Sequence, residues 1–293
     1  MTTIIIINYK NELLTIDYIT KELSKLIDNF NVIVVNNAST PESDQQLCCS
    51  LQAKLVSIDS FEEASSGRYV VSSTENLGFA KGNNLAAEIA AKHLNSKYLL
   101  FSNNDILINE TDIITRMITK IESNERIGII GPKITGLKGE FQSPEPYLSF
   151  LDRYCWMYLS TPFISAKKKK KRFKLDYKEN AKEGFHYKVM GAFFMVKSDD
   201  YVRCGMMDPY TFLYSEETIL TERMKRIGKE PYYLPTVSVV HAHGLTTKST
   251  IGKKGINKYM IESEKYYYRE YMKTPMWKIL FGEFVYRIYC KLK

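Results

Sequence analysis

Short apolar runs along the first half of the chain alternate with segments of helical spacing. The runs are residues 3–8, 31–37, 68–73, 98–102 and 127–131. Between them, residues 12–28, 79–94 and 111–122 carry apolar side chains three to four positions apart, which indicates helices. Short, continuous, β-branched runs are typical of strands that are covered on both faces. The alternation predicts right-handed β-α-β units and a mostly parallel sheet flanked by helices.

The second half is less regular. Residues 187–197 predict a strand interrupted by a glycine, residues 216–227 a helix, and residues 232–244 an apolar strand that ends in two histidines. Residues 165–184 begin with a run of lysines and continue as a polar segment, so we expect a mobile loop there. No internal repeat is present.

The last apolar pattern lies at the C-terminus. Trp277, Leu280, Phe281, Phe284 and Ile288 follow a helical spacing within residues 276–293, with basic residues mostly off that stripe. Such a helix either packs its stripe on the core or lies in a membrane interface. The pattern leaves both open.

Polar residues follow the apolar run at residues 98–102. Ser102, Asn103, Asn104 and Asp105 come directly after it. A turn would explain these residue types, because Asn and Asp hydrogen-bond to their own backbone. The alternative is an acid at a ligand site, since open α/β sheets bind ligands at the carboxyl ends of their strands. The predicted parallel sheet favours the ligand site.

Composition narrows the class only a little. The chain has 293 residues, 44% of them hydrophobic, and 41 Lys and Arg against 33 acids give a formal charge of +8. That charge suits nucleic acid, an anionic membrane or phosphorylated small molecules, but the basic residues form no known nucleic-acid-binding motif. The five cysteines have neither disulfide nor zinc spacing, and no signal peptide or run of about 20 apolar residues is evident. We therefore expect a cytoplasmic protein.

Two common phosphate-binding loops are absent, G-x-x-x-x-G-K-[ST] and G-x-G-x-x-G. The nearest glycine-rich segment is ENLGFAKGNN at residues 75–84, which follows a predicted strand and opens a predicted helix. Gly78 and Gly82 either let a ligand approach the backbone or let the helix pack closely on the sheet.

Six segments together, in this order and spacing, resemble the family 2 glycosyltransferases, in particular the rhamnosyltransferase-like branch that builds bacterial surface polysaccharides. They are VVNNAST (34–40), ENLGFAKGNN, LLFSNND (99–105), GAFFMVK (191–197), MDPYTFLYSEETILTERMKRIG (207–228) and LPTVSVVHAHG (234–244). The resemblance implies a GT-A fold, a nucleotide-sugar donor, Mg²⁺ or Mn²⁺, and inversion at the anomeric carbon. It also implies a nucleotide-binding half at about residues 1–130 and an acceptor half at about 131–250, followed by a helical extension at 251–293 that is a candidate for membrane association.

The resemblance also assigns a donor site. Asp105 matches the acid that serves the metal on the donor diphosphate, with Asn103 and Asn104 beside it on the ribose and phosphate edge. Asn36 stands where the family commonly has an Asp that contacts the base. Asn76, Gly78 and Asn84 match the donor-binding loop, and His241 or His243 matches a histidine that in some members reaches the metal or diphosphate. A metal shell of one carboxylate, phosphate oxygens and water suits Mg²⁺.

The acidic pair Glu216 and Glu217 matches the family's general base, and the second of the two occupies the catalytic position, where an Asp is usual. Ionised Glu217 would accept the proton of an acceptor hydroxyl. Glu216 is the alternative base. A purely structural interpretation is that Ser215 caps a helix whose dipole the two acids stabilise. Ile219 replaces an acid that many members carry.

The expected partners are a UDP- or dTDP-linked sugar, a glycan or lipid-linked oligosaccharide acceptor, and an inner-leaflet membrane surface, but no nucleic acid. The run Lys167–Lys171 is either a solvated segment or an attractor for anionic lipid. Three competing functions stay open: a sugar-nucleotide-binding protein without turnover, a nucleotidyltransferase, and a basic nucleic-acid-binding protein.

Overall fold

One ten-stranded sheet forms the centre of the protein. The computed structural model describes residues 1–159, 164–242 and 252–292. The strands are β1 (Thr2–Tyr9), β2 (Phe30–Asn37), β3 (Lys54–Val56), β4 (Arg68–Ser73), β5 (Tyr98–Ser102), β6 (Ile106–Ile108), β7 (Ile127–Thr135), β8 (Gly184–Phe185), β9 (Phe193–Lys197) and β10 (Glu230–His241). Their spatial order is β3-β4-β2-β1-β5-β9-β7-β10-β6, with β8 on β10.

Helices flank this sheet and extend beyond it. They are α1 (Glu12–Asp17), α2 (Pro41–Leu51), α3 (Gly78–His93), α4 (Ile113–Glu122), α5 (Met157–Leu159), α6 (Ala166–Arg172), α7 (Tyr177–Asn180), α8 (Ser198–Arg203), α9 (Glu216–Arg226), α10 (Gly252–Tyr266) and α11 (Met276–Leu292). Short π-helical turns occur at Tyr18–Glu22, Asp152–Trp156 and Tyr267–Tyr271, and a 3₁₀ turn at Leu23–Lys25.

The predicted parallel region is confirmed. Strands β3, β4, β2, β1 and β5 all pair in parallel. In β1, Ile4 and Ile6 contribute to the core on one face of the sheet and Ile5 to the core on the other, and all three are fully buried. This is why the run is continuously apolar rather than alternating. The register sets Asn8 of β1 beside Asn36 of β2, so the polar strand ends lie at one edge.

The remaining strands continue the same sheet. Strand β9 is antiparallel to both β5 and β7, β7 is parallel to β10, and β6 runs antiparallel to the end of β10. The division expected near residue 130 falls within β7, so the two expected halves share one sheet. A third apolar cluster lies outside the sheet and joins Phe150, Tyr154 and Ile219 to Tyr267, Tyr268 and Ile279 of the C-terminal helices.

Several elements differ from the predictions. The mobile loop expected at residues 165–184 is wrong, because α6 and α7 lie within it. Ser165 caps α6 by accepting a hydrogen bond from the Lys168 N–H, and Phe173 is buried at its end. Lysine also has a high helix propensity, so a lysine run does not by itself oppose a helix.

Other boundaries shift, and several elements were missed. The strand expected at 187–197 begins only at Phe193, and the helix expected at 12–28 ends at Lys25 through π and 3₁₀ turns. The sequence pattern did not reveal the helices α2, α5 and α8 or the strands β3, β6 and β8. His243 lies outside the described residues.

Gly78 lies where the predicted donor loop packs against the segment that leads into α9. Its φ is +73°, and a Cβ atom there would stand 2.4 Å from the carbonyl oxygen of Phe212. The Phe79 N–H donates to that same oxygen at 3.0 Å. A side chain at this position would therefore push apart the donor loop and the segment that leads into α9.

We expect Gly78→Ala to destabilise the protein more than Gly139→Ala. Both glycines have positive φ, but a Cβ at Gly139 meets nothing within 4 Å. The control therefore carries the left-handed cost of about 1–2 kcal/mol, and Gly78→Ala adds an overpacking cost of about 1–3 kcal/mol. Urea unfolding of the two variants measures the difference, and equal free energies of unfolding would contradict the close approach.

Candidate active site

A chain of buried hydrogen bonds links the carboxyl ends of three parallel strands. After β5, the Asn104 side-chain amide donates to Thr15 Oγ1 at 2.9 Å, and Thr15 Oγ1 donates to Asn8 Oδ1 at 2.7 Å. Asn8 Nδ2 then donates to Asn36 Oδ1 at 2.8 Å. All four side chains are buried. Asn104 therefore holds α1 against the strand ends, and its Nδ2 is directed to Thr15.

The predicted base-contact residue Asn36 is fully engaged in this chain. Its Nδ2 donates to Ser43 Oγ at 2.8 Å and to Asp44 Oδ1 at 2.7 Å, both in the first turn of α2. Asp44 Oδ2 accepts a hydrogen bond from Ser72 Oγ at 2.7 Å. Helix α2 thus brings a carboxylate to the place where the family pattern has an Asp on the strand itself. Asp44 was missed because α2 was missed.

The next residue, Asn37, has an unused acceptor. Asn37 Nδ2 donates to the Gly78 carbonyl at 3.2 Å, and the buried Oδ1 has no hydrogen-bond partner among the described residues. Asn76 Oδ1 accepts from the Gly78 N–H at 3.0 Å and shapes the same loop. A buried carbonyl without a donor is costly, so Asn37 is a better-placed ligand contact than Asn36.

Asn84 lies away from this edge. Its Nδ2 donates to the Met207 carbonyl at 2.8 Å, and its Oδ1 accepts from the Met207 N–H and the Tyr201 hydroxyl. All of its polar atoms fix α3 to the segment after α8. The structure gives Asn84 a supporting contact and does not bring it to the other predicted donor residues.

Asp105 and His241 meet at the other end of the edge. Asp105 immediately precedes β6, whose first residue pairs with His241, and the Asp105 carbonyl accepts from the Ala242 N–H at 2.9 Å. This register brings His241 Nε2 to 3.1 Å from Asp105 Oδ1. Asn103 Nδ2 lies 3.3 Å from the same nitrogen. Three of the predicted donor-site residues are therefore together.

Gln142 orients the imidazole. Gln142 Oε1 lies 2.7 Å from His241 Nδ1, while Gln142 Nε2 donates to the His241 carbonyl at 3.5 Å. An amide oxygen can only accept, so Nδ1 donates to it, and the ring is held with Nε2 directed to Asp105 and Asn103. Sequence patterns gave no signal for Gln142, which stands 99 residues from its partner.

The Asp105–His241 pair fits a divalent cation. Both side chains are buried, and Asp105 Oδ1, which has no hydrogen-bond partner among the described residues, lies 3.1 Å from His241 Nε2. Two electron-pair donors at this distance repel unless a proton or cation lies between them. The described ranges contain no group of three or more His, Cys, Asp or Glu side chains placed to hold a metal. A cation here would take its remaining ligands from phosphate oxygens and water.

Glu217 lies on a cleft of about 170 Å³. Lys188 Nζ stands 3.2 Å from Glu217 Oε1 and 3.0 Å from Glu145 Oε2. The pKa of the Glu145 carboxyl lies below its usual range because Lys188 and Lys178 outweigh its burial, and the pKa of Lys188 is raised by Glu145 and Glu217 despite its own burial. Lys188 is therefore a fixed cation beside Glu217.

The two adjacent glutamates have different environments. Glu217 faces the cleft, whereas Glu216 is buried and its Oε1 has no hydrogen-bond partner among the described residues. Burial, and then the charge of Glu217, raise the pKa of Glu216 to about 8. Glu216 therefore holds a proton at neutral pH. Only Glu217 of the pair is placed to accept a proton from a ligand in the cleft.

The turn before these acids is not a simple helix cap. Tyr214 and Ser215 both have left-handed backbones, with φ of 74° and 69°. Ser215 occupies the N-cap position of α9, but its side chain makes no capping hydrogen bond, so the purely structural interpretation of Ser215 is wrong. Consecutive left-handed residues without glycine are costly and concentrate at functional sites.

A short backbone segment connects the two carboxylate sites. The Ala192 carbonyl accepts from the Asn103 N–H at 2.9 Å, and a Cβ on Gly191 would lie 3.6 Å from the Glu217 carboxyl. The segment Gly191–Ala192 thus touches the Asp105 loop on one side and Glu217 on the other. Tyrosines dominate the rest of the cleft wall: Tyr147, Tyr187, Tyr214, Tyr267 and Tyr268.

Comparison with known proteins identifies this arrangement. The family model described as Glycosyl transferase family 2 matches residues 3–195. The chain belongs to glycosyltransferase family 2. This match confirms the predicted family, while the rhamnosyltransferase-like branch stays a prediction. A search of curated protein sequences gives no significant match.

Solved structures of glycosyltransferases share the fold. The mannosyltransferase PcManGT from Pyrobaculum calidifontis, in complex with GDP-Man and Mn²⁺, has a TM-score of 0.58 at 13% identity over 92% of this chain. GalNAc-T7 with UDP, GalNAc and Mn²⁺ has a TM-score of 0.57 at 12% identity over 93% of the chain, and S. aureus TarS 1–349 one of 0.52 at 14% over 97%. The chain spans 64% of the PcManGT chain, 49% of GalNAc-T7 and 70% of the TarS fragment. The likeness, together with the family match, confirms the GT-A fold.

We expect Glu216→Gln to stabilise the protein increasingly as the pH rises. The pKa of Glu216 in the folded chain, about 8, exceeds the ordinary value of 4.5, so its stabilising contribution is complete below about pH 4.5 and is lost as the pH rises through about 8. Gln stays neutral, because it cannot ionise. The charges that face Glu216 are Glu217 and Lys188.

Urea unfolding of both proteins from about pH 5 to about pH 8 measures this effect. The difference in unfolding free energy should grow by at most about 1.4 kcal/mol per pH unit. A difference that does not change with pH would show that Glu216 is ionised in the fold.

Proposed function

We propose that this family 2 member is an inverting, metal-dependent glycosyltransferase that moves a hexose or deoxyhexose from a UDP- or dTDP-sugar to a glycan or lipid-linked glycan. The observation that carries the proposal is the placement of two carboxylates on either side of Gly191–Ala192. Asp105 with His241 forms the donor side, and Glu217 in the tyrosine-lined cleft forms the acceptor side. Synthesis of a bacterial surface polysaccharide is the pathway that the sequence resemblance suggests.

The donor side suits a nucleoside diphosphate with a divalent cation. Asp105 and His241 would hold Mg²⁺ or Mn²⁺, which neutralises charge on the departing diphosphate. Asn37 Oδ1 offers an acceptor to a base or ribose donor group, beside the loop that Asn76 and Gly78 form. PcManGT and GalNAc-T7 were solved with nucleotide or nucleotide sugar and Mn²⁺, which supports this assignment without fixing the base.

The acceptor side suits proton removal from a hydroxyl. Glu217 would accept the hydroxyl proton as the oxygen attacks the anomeric carbon from the face opposite the diphosphate, so the sugar–phosphate bond breaks and the configuration inverts. Lys188 Nζ lies 3.2 Å from Glu217 Oε1 and helps to hold the carboxylate at the cleft. The tyrosines give the cleft flat apolar faces with hydroxyl groups at their edges, which suits a sugar.

One observation favours a second candidate function. Glu217 is ion-paired with Lys188, and Glu216 holds a proton, so neither acid of the pair is a free base in this structure. A chain with these features could bind a sugar nucleotide without transferring it. The two functions share the donor site and differ in turnover.

We expect metal-dependent binding of one nucleoside diphosphate, lost in Asp105→Asn. Calorimetry with UDP, dTDP, GDP and CMP, each with Mn²⁺ and with EDTA, should show one nucleotide that binds only with the metal. The isosteric amide removes the charge at Asp105 and keeps its shape. Loss of at least about tenfold in affinity is typical when a metal ligand is weakened.

Asp44→Asn is the matched control, because it removes a carboxylate from the same edge of the sheet without touching the Asp105–His241 pair. It should keep metal dependence and change which nucleotide binds best. Failure of the wild-type protein to bind any of the four nucleotides would contradict the donor site.

We expect Glu217→Gln to keep nucleotide binding and to lose transfer by about 10²–10⁴-fold, the usual contribution of a general base. Glu217→Asp restores a carboxylate and should recover part of the rate. The assay measures transfer from the nucleotide sugar that calorimetry identifies. Wild-type rates in Glu217→Gln would exclude Glu217 as the base, and a wild-type protein that binds donor but transfers nothing would favour the second candidate.

A further inference from the structure

The apolar stripe of α11 faces away from the protein. Trp277, Leu280, Phe281, Phe284 and Ile288 are 64%, 55%, 43%, 62% and 43% exposed. The opposite side of the same helix is buried, with Ile279 1% and Val285 8% exposed, and with Gly282 against Phe150 and Tyr154. At 100° per residue the five exposed side chains fall within about one third of the helix circumference. The interpretation that this stripe packs on the described core is therefore wrong.

Basic residues border the stripe. Lys278 and Arg287 lie on its two sides on the helical wheel, and the Lys278 ammonium stands 5.5 Å from the centre of the Trp277 ring. Arg287 is anchored to Glu283 at 2.6 Å. An aromatic and aliphatic face bordered by Lys and Arg is the pattern of a helix that lies in a membrane interface. Among the described residues, no helix is both long and apolar enough to cross a bilayer.

A second basic element, helix α6, is attached to the turn at residues 152–156, on which α11 packs. Helix α6 carries Lys167–Lys171, and Arg172 at its end bonds Asp152 at 3.2 Å and lies over the Trp156 ring at 6.0 Å. Residues 152–156 form the turn on which α11 packs. Both the apolar face and the lysine helix are thus fixed to one small unit outside the sheet.

We propose that the outer face of α11, together with the lysines of α6, docks this protein on an anionic lipid bilayer. The apolar side chains would enter the boundary between headgroups and acyl chains, and the lysines would meet lipid phosphates. This inference stands independently of the proposed function, because it rests on a surface outside the donor and acceptor sites.

Charge argues for lipid over a second copy of this chain. A symmetric dimer through α11 would bring Lys278 and Arg287 of one copy close to those of the other. Each chain also carries a formal charge of +8. Like charges at such a contact oppose association, whereas an anionic membrane attracts all of them. The charges around this apolar face therefore favour contact with an anionic membrane and oppose contact with a second copy of the protein.

The surface is coupled to the acceptor side through one layer of side chains. Ile279 on the inner face of α11 belongs to the apolar cluster that contains Tyr267, Tyr268 and Ile219. Ile219 lies on α9, two residues after Glu217, and both tyrosines line the Glu217 cleft. Docking through α11 would hold that cleft close to the bilayer surface, which would suit a lipid-linked acceptor under the function proposed above.

Vesicle co-sedimentation tests the proposal. The full-length protein is mixed with vesicles of phosphatidylcholine alone or of phosphatidylcholine with phosphatidylglycerol. We expect at least about tenfold tighter binding to the anionic vesicles, weakened by added salt. Leu280→Ser, Phe281→Ser and Phe284→Ser combined should abolish it.

The matched control replaces three apolar residues elsewhere that are at least as exposed. They are Ile27→Ser, Leu55→Ser and Leu137→Ser, at positions that are 74%, 56% and 66% exposed. It should bind as the wild type does. Equal vesicle binding by the wild type and the α11 variant would overturn the proposal. The proposal would also be overturned if the wild type did not bind vesicles but formed a dimer in light scattering, and if the α11 variant were a monomer.

The lysines are tested in the same assay. Lys167→Ser, Lys168→Ser and Lys171→Ser combined should weaken anionic-vesicle binding, whereas Lys21→Ser, Lys54→Ser and Lys138→Ser, which remove the same charge elsewhere, should not. In a Trp156→Phe background Trp277 is the only tryptophan left, since the chain has two. Its fluorescence should shift to shorter wavelength on anionic vesicles, and an unchanged spectrum would contradict insertion of the α11 face.

Discussion

The buried polar side chains at the carboxyl ends of the parallel strands must find hydrogen-bond partners among themselves. The rest of this structure depends on how they do so. Asn104, Thr15, Asn8 and Asn36 form one buried hydrogen-bonded chain across β5, β1 and β2. Leaving a buried polar group unpaired costs about 1–3 kcal/mol, so each member holds its neighbour in place. Beside this chain, Asn37 Oδ1 and Asp105 Oδ1 have no hydrogen-bond partner within the described ranges, and these are the atoms that we assign to ligand contact.

The two glutamates of the acidic pair differ in protonation and in exposure because their surroundings differ, although their residue type is the same. Glu216 and Glu217 are adjacent in sequence, yet burial raises the pKa of one to about 8 while the other lies on the cleft beside Lys188. They are the first two residues of α9, so their side chains project about 100° apart around the helix. This difference in direction buries one carboxylate and leaves the other on the cleft.

Sequence patterns predicted what depends on local periodicity, and they missed what depends on distant contacts. The strand before Asp105 and the parallel order followed from apolar runs, and the structure places His241 beside Asp105. Gln142 could not be found, because its role comes only from the pairing of β10 with β6 and β7. Asp44 depended on α2, whose low apolar content hid it. The lysines of α6 looked disordered because their anchor, Phe173, is a single buried residue.

The departure at Ile219 has a physical reason in the C-terminal helices. Ile219 is fully buried in the cluster formed with Tyr268 and Ile279, so an acid there would lie unpaired among aromatic side chains. An apolar residue at this position therefore allows the C-terminal helical segment to pack on α9. That cover closes one wall of the Glu217 cleft and leaves the aromatic face of α11 outward. The residue that departs from the family's acidic pattern is therefore the residue that joins the Glu217 cleft to the proposed membrane surface.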